Sequence, residues 1–105
     1  MPAAVMPKLT NEQLDSVRAA LATQGQQASG RSRRILERIA KDRRGTGDNG
    51  RLFSRFMQRS YERYVEANDG RAGSAGDFIK WLLDWIVTNQ DSILKLVMAI
   101  ISLFS

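Results

Sequence analysis

The side chains most able to do chemistry in this sequence are its arginines, because it contains no histidine and no cysteine. Without cysteine there is no disulfide, no CxxC redox motif and no thiolate metal ligand. Without histidine the chain lacks the commonest metal ligand and the best proton-transfer group near neutral pH. The carboxylates are scattered, and no pair is placed as in a glycosidase. We therefore predict no catalytic residue, no metal site and no cofactor.

Positive charge is concentrated in the middle of the chain. Residues 31–71 contain twelve of the sixteen Lys and Arg residues but only six of the eleven acids, whereas residues 72–105 contain no arginine. Eleven of those twelve cations are arginines, whose planar guanidinium suits phosphate oxygens. The sequence thus predicts a polyanion-binding face formed by nine arginines: Arg31, Arg33, Arg34, Arg38, Arg43, Arg44, Arg51, Arg55 and Arg59.

Three interpretations of this charge remain open. The arginines could follow a nucleic-acid backbone without reading sequence, since the chain has no helix-turn-helix register, zinc knuckle or RNP motif. They could face anionic lipid headgroups. They could also be solvated helix surfaces, an interpretation that Glu62 and Glu66 favour for the third helix. The five surplus positive charges over residues 31–44 favour polyanion binding there.

Helical segments must position these arginines. A capping box at Thr10 and Gln13 predicts a first helix that runs to about Thr23. A second helix is expected over residues 31–44 and a third over residues 51–67, separated by a loop with three glycines in six residues. Residues of the third helix that recur at helical spacing are expected to form its core face: Phe53, Phe56, Met57, Ser60, Tyr61 and Tyr64.

The C-terminal segment has a different composition. Asp77 is a suitable N-cap for a very apolar stretch that ends at Phe104. As one helix, the segment would carry a narrow polar stripe: Lys80, Asp84, Thr88, Asp91, Lys95 and Ser102. Asn89 and Gln90 fall off that stripe, so a kink or a helix–turn–helix, with Asp91 or Ser92 as a new N-cap, is the competing interpretation.

The predicted fold is therefore all-α, a small bundle of three amphipathic helices plus a long, very apolar C-terminal helix or helical hairpin. Its expected regions are a flexible arm (1–9), a basic helical region (10–70), a hinge (71–76) and the apolar segment (77–105). The first two helices offer few large apolar side chains to cover that segment. Self-association, a membrane surface or, less well supported because of its polar centre, a membrane span could cover it instead. The residues expected to mediate assembly or membrane contact are Phe78, Trp81, Leu82, Trp85, Ile86, Ile93, Leu94, Val97, Ile100, Ile101 and Phe104.

These features together predict a non-enzymatic structural or assembly protein. It would self-associate, as a homo-oligomer or larger assembly, or dock through the apolar segment, and it would turn its arginines toward nucleic acid or an anionic membrane surface. A small bacteriophage virion component fits that layout, with cytoplasmic synthesis and a final place in the virion or at the inner membrane surface. Two alternatives are a membrane-active lysis protein or toxin and a small nucleic-acid-binding regulator.

Overall fold

The computed structural model describes residues 5–44 and 48–103, apart from the Asp48 side chain. These residues form an all-α fold with one short antiparallel hairpin, which confirms the predicted class. The elements, in chain order, are α1 (Asn11–Gln27), α2 (Gly30–Ala40), β1 (Arg43–Arg44), β2 (Asp48–Asn49), α3 (Arg51–Ala67), α4 (Ala75–Thr88) and α5 (Gln90–Leu103).

The predicted capping box begins α1. The Thr10 amide donates to Gln13 Oε1 at 2.9 Å, and the Gln13 amide donates to Thr10 Oγ1 at 3.1 Å. The helix continues one turn beyond the predicted end at Thr23, to Gln27. Arg33 of α2 stabilises that turn, because its side chain donates to the carbonyls of Gly25 and Gln26 at the end of the helix.

The prediction that α2 extends through Arg44 is wrong. The helix ends at Ala40, and Arg43 and Arg44 lie in β1, paired with Asn49 and Asp48 of β2. Asp42 stabilises the segment that follows α2, because its carboxylate accepts the Phe53 amide at 2.9 Å and thereby caps the first turn of α3. The middle of the predicted glycine-rich loop, residues 45–47, lies outside the described residues.

Helix α3 has the predicted bounds, Arg51–Ala67, and the predicted core face. All six residues expected on that face are buried. Tyr61 and Tyr64 contact Phe78 at ring-centroid distances of 5.1 and 5.5 Å, which joins α3 to the start of α4. Gly73 permits the intervening turn, because a Cβ at that position would collide with the Tyr64 hydroxyl.

Helix α4 begins earlier than predicted. Ser74, not Asp77, is its N-cap, and the Ser74 hydroxyl accepts the Asp77 amide at 3.1 Å. Asp77 lies in the first turn, where its negative charge still interacts favourably with the helix dipole.

The apolar C-terminal segment forms two helices and not one long helix. Helices α4 and α5 are bent by 104° at a break at Asn89. The side chains of Thr88 and Asn89 form local hydrogen bonds that compete with the backbone hydrogen bonds of the helix. The Thr88 hydroxyl donates to Asp84 O, and the Asn89 side-chain amide donates to Thr88 Oγ1. The Asn89 carbonyl then accepts the Ile93 amide, so α5 begins at Gln90, one or two residues before the predicted N-caps Asp91 and Ser92.

Half of the large apolar side chains of α4 and α5 are buried in the core of the same chain, and others pack against it half-buried. The buried residues are Phe78, Ile79, Leu82, Ile86, Ile93, Leu96, Val97 and Ile100. The bend makes this possible, because it turns an apolar face of each helix toward α1, α2 and α3. The expected shortage of intramolecular partners therefore does not arise, since α3 supplies six large apolar side chains that are buried and α4 packs on α1.

Within residues 5–44 and 48–103, no single helix is long and apolar enough to cross a bilayer. The bent pair of α4 and α5 meets the length and composition of a span only when the two helices are taken together.

Candidate polyanion-binding surfaces

The arginine side chains divide into one buried residue and several exposed groups. Arg18 of α1, which interrupts that helix's apolar stripe, is only 6 % exposed. It donates to the Ala40 carbonyl at 2.8 Å and to Asn49 Oδ1 at 2.7 Å, and its guanidinium lies 3.7 Å from the Phe53 ring centroid. Arg18 thus ties α1 to the end of α2, to β2 and to α3.

Burial of the Arg18 side chain disfavours its positively charged form. Desolvation lowers the pKa of the Arg18 guanidinium, and the positive charge of Arg43 lowers that pKa further, while Asp42 and Asp15 raise it. Its Nε atom is buried with no hydrogen-bond partner among the described residues. These features describe a structural cation that is inaccessible to a large polyanion.

All nine arginines predicted to bind polyanions are exposed, and Arg33, Arg43 and Arg59 are among those with intramolecular partners. Arg33 holds the C-terminus of α1. Arg43 forms an ion pair with Asp15 at 3.1 Å, and Arg59 lies 3.7 Å from Glu62. The Arg43–Asp15 pair is largely solvated, so it contributes little to stability and leaves Arg43 able to bind a phosphate. The Glu62 side chain of the other pair is only 28 % exposed.

One group of cations surrounds the start of α3. Arg43, Arg44 and Arg51 line one shallow depression, and Arg51 and Arg55 line the next. We call these four residues the α3 arginine surface. The structure brings Arg43 and Arg44 here because the chain leaves α2 at Ala40 and returns to Gly50, where a Cβ would collide with the Asp42 carboxylate.

Asp42 is the acid that lines the α3 arginine surface, and it is already engaged. Its carboxylate accepts the Phe53 amide at the α3 N-terminus. The second depression is lined by Met6, Ser54 and Gln58 besides its arginines, with no acidic side chain among the described residues. The local potential there is consequently positive.

A second group lies on α2. Arg31, Arg34 and Arg38 line a groove against α5 and share no lining residue with the α3 arginine surface. We call these three residues the α2 arginine surface. Sequence reasoning identified these cations but could not predict that they border α5, because that contact depends on the bend at Asn89.

The eleven residues predicted to mediate assembly or membrane contact occupy different environments. Phe78, Leu82, Ile86, Ile93, Val97 and Ile100 are buried, whereas Trp81, Trp85, Leu94 and Ile101 are half-buried. Phe104 lies outside the described residues.

Trp81 stacks on Trp85 with centroids 5.4 Å apart, and Arg63 lies over Trp85. Sequence reasoning missed Met98, an α5 residue that is 43 % exposed beside the α2 arginine surface.

No group of three or more His, Cys, Asp or Glu side chains is placed to hold a metal ion in the described part of the chain. Comparisons with protein-family models, curated proteins and solved structures found no match to this chain.

Proposed function

We propose that this protein is a non-enzymatic, nucleic-acid-binding structural protein, suited to a virion interior, that contacts phosphates through the α3 arginine surface. The observation that carries the proposal is the gathering of Arg43, Arg44, Arg51 and Arg55 around one helix start. These residues come from β1 and from two turns of α3. Four guanidinium groups over adjoining depressions suit the repeated charges of a backbone better than they suit a single small anion.

The surface favours backbone contact over base readout. Its cations are exposed arginines, and the α3 aromatic residues that could stack on bases are buried on the other side of the helix. Arginine contacts to phosphate fix position and carry no sequence information by themselves. Affinity is therefore expected to depend on charge and salt, and only weakly on sequence.

The test is fluorescence anisotropy with labelled DNA duplexes of two unrelated sequences, titrated at several salt concentrations. We expect both duplexes to bind equally and the affinity to fall steeply with salt. The double variant Arg44→Gln/Arg55→Gln should reduce the slope of log K against log salt by about 2, because each lost phosphate contact removes about 0.9.

The matched control is Arg34→Gln/Arg38→Gln, which removes the same charge from the α2 arginine surface. It should leave the salt slope within about 0.5 of the wild-type value, because non-contacting charges release few counterions. Equal loss in the two double variants would contradict the assignment of nucleic acid to the α3 arginine surface. Absence of salt-dependent binding by the wild-type protein would overturn the proposed function itself.

A further inference from the structure

The groove between α2 and α5 combines cations with apolar side chains on one exposed face. Its volume is about 360 Å³, and no acidic residue lines it in the described part of the chain. Its lining residues are Arg31, Arg34, Ile35 and Arg38 of α2, with Met98, Ile101 and Ser102 of α5. The groove therefore places three arginines of α2 beside apolar side chains of both helices.

The three arginines of this groove form no ion pair within residues 5–44 and 48–103. Arg31, Arg34 and Arg38 recur at i, i+3 and i+7, so they lie along one side of α2. None of the three makes an ion pair or a side-chain hydrogen bond with the described residues. Arg33, by contrast, points toward α1 and binds its terminal carbonyls.

The apolar side chains continue this face onto α5. Met98 is 43 % exposed, whereas Ile35 and Ile101 are half-buried and packed against the core. One turn from Met98 along the helix lie the exposed residues Lys95 and Ser102. Lys95 extends the positive charge, and Asp91, one turn further back, is the nearest acid on that side of α5.

We propose that the α2–α5 face docks on an anionic lipid bilayer. Its arginines would contact headgroup phosphates, and Met98 would enter the boundary between headgroups and acyl chains. A bilayer offers both components at once, a layer of negative charge over hydrocarbon, whereas a nucleic-acid backbone offers no apolar counterpart for Met98. This surface shares no residue with the proposed nucleic-acid site, so one chain could bridge nucleic acid and membrane.

The bilayer test is co-sedimentation with vesicles of phosphatidylcholine alone and of an equal mixture of phosphatidylcholine and phosphatidylglycerol. We expect the wild-type protein to bind the mixed vesicles only, and less well in high salt. Arg34→Gln/Arg38→Gln should lower the partition coefficient roughly 30-fold, about fivefold per arginine. Met98→Gln should lower it about threefold with no change in charge, because a side chain that enters the boundary loses apolar burial.

Two matched controls separate site-specific docking from general charge. Arg44→Gln/Arg55→Gln removes the same charge from the other surface and should change vesicle binding less than about threefold, because distant charges are screened. Val87→Gln alters an exposed apolar residue of α4, 62 % accessible, and should have no effect. Circular dichroism would verify that each variant is folded.

Three results would overturn this inference. The first is failure of the folded wild-type protein to bind the mixed vesicles. The second is equal loss of vesicle binding in the two double-arginine variants, which would indicate non-specific attraction. The third is loss of DNA binding but not of vesicle binding in Arg34→Gln/Arg38→Gln, which would assign the α2 surface to nucleic acid. Because DNA and vesicle binding are measured separately, either proposal can fail alone.

Discussion

At the scale of single residues, Arg18 differs from the other arginines because its charge is used inside the molecule. Its hydrogen bonds satisfy a helix-terminal carbonyl and the Asn49 side chain, and its flat guanidinium covers the Phe53 ring. Burial of a cation costs free energy unless its partners are well placed. This cost explains why the pKa of the Arg18 guanidinium is lowered despite two nearby carboxylates. The neighbouring elements therefore depend on this side chain for their relative positions.

We predict that Arg18→Ala lowers the free energy of unfolding by about 2–4 kcal/mol, because it leaves buried acceptors unpaired and removes packing against Phe53. Arg18→Lys should lose less, since an ammonium retains the charge but cannot make the same fork of hydrogen bonds. Urea denaturation followed by circular dichroism measures both changes. Arg31→Ala is the exposed control, with an expected change below about 0.5 kcal/mol. A similarly small change in Arg18→Ala would show that its contacts are not needed for stability.

At the scale of elements, Asp42 links the end of α2 to the beginning of α3. Gly50 is the N-cap of α3 and has no side chain to accept a first-turn amide, so Asp42 accepts the Phe53 amide from outside the helix. The Gly50 amide also donates to the Asp42 carbonyl at 3.1 Å. This double contact closes the loop that brings Arg43 and Arg44 beside Arg51.

We predict that Asp42→Ala destabilises the protein by about 1 kcal/mol through loss of this cap. Asp42→Asn should retain part of the stability, since an amide oxygen can still accept from Phe53. Gly50→Ala is expected to be destabilising as well, because its methyl group would displace the Asp42 carboxylate. Thermal and urea unfolding measure these effects, and an unchanged stability in both Asp42→Ala and Gly50→Ala would rule out the cap.

At the scale of the whole molecule, one core joins the basic and apolar parts of the chain. Buried residues of α1, α2 and α3 pack with those of α4 and α5 in a single cluster. The apolar segment does not by itself require a second copy or a bilayer to cover it. The sequence predicts self-association, whose interface would have to use exposed or half-buried residues such as Met98 and Trp85, whereas the buried core favours a single copy.

We predict that the purified chain is soluble without detergent and has the mass of one 11.8 kDa chain by light scattering after size-exclusion chromatography. The physical reason is that most of its large apolar side chains are already buried in that single cluster. Absorbance at 260 and 280 nm in the same peak would reveal co-purified nucleic acid. A discrete oligomer at all concentrations would contradict this expectation and restore the sequence-based prediction of an assembly core. Solubility only in detergent would contradict both the single-chain mass and the assembly core.

The sequence by itself determined the local features of this protein. The Thr10 capping box, the bounds of α3 and its buried aromatic face follow from spacing and side-chain chemistry within a few turns. The concentration of arginine in residues 31–71 was equally evident, because charge can be read without a fold. Sequence reasoning failed at the end of α2, where it continued the helix to Arg44 and gave no role to Asp42, which accepts the Phe53 amide of α3.

Only the tertiary structure decided which arginines share a surface. The exit of the chain from α2 at Ala40 places Arg43 and Arg44 beside α3, and the bend at Asn89 places Met98 beside the α2 arginines. No proline or turn motif marks the end of α2 at Ala40, and the polar residues 89–92 left one helix and two helices both open. Each break depends on the burial of apolar faces that are far apart in sequence. The free energy of that burial belongs to the assembled core, so a short stretch of sequence does not reveal it.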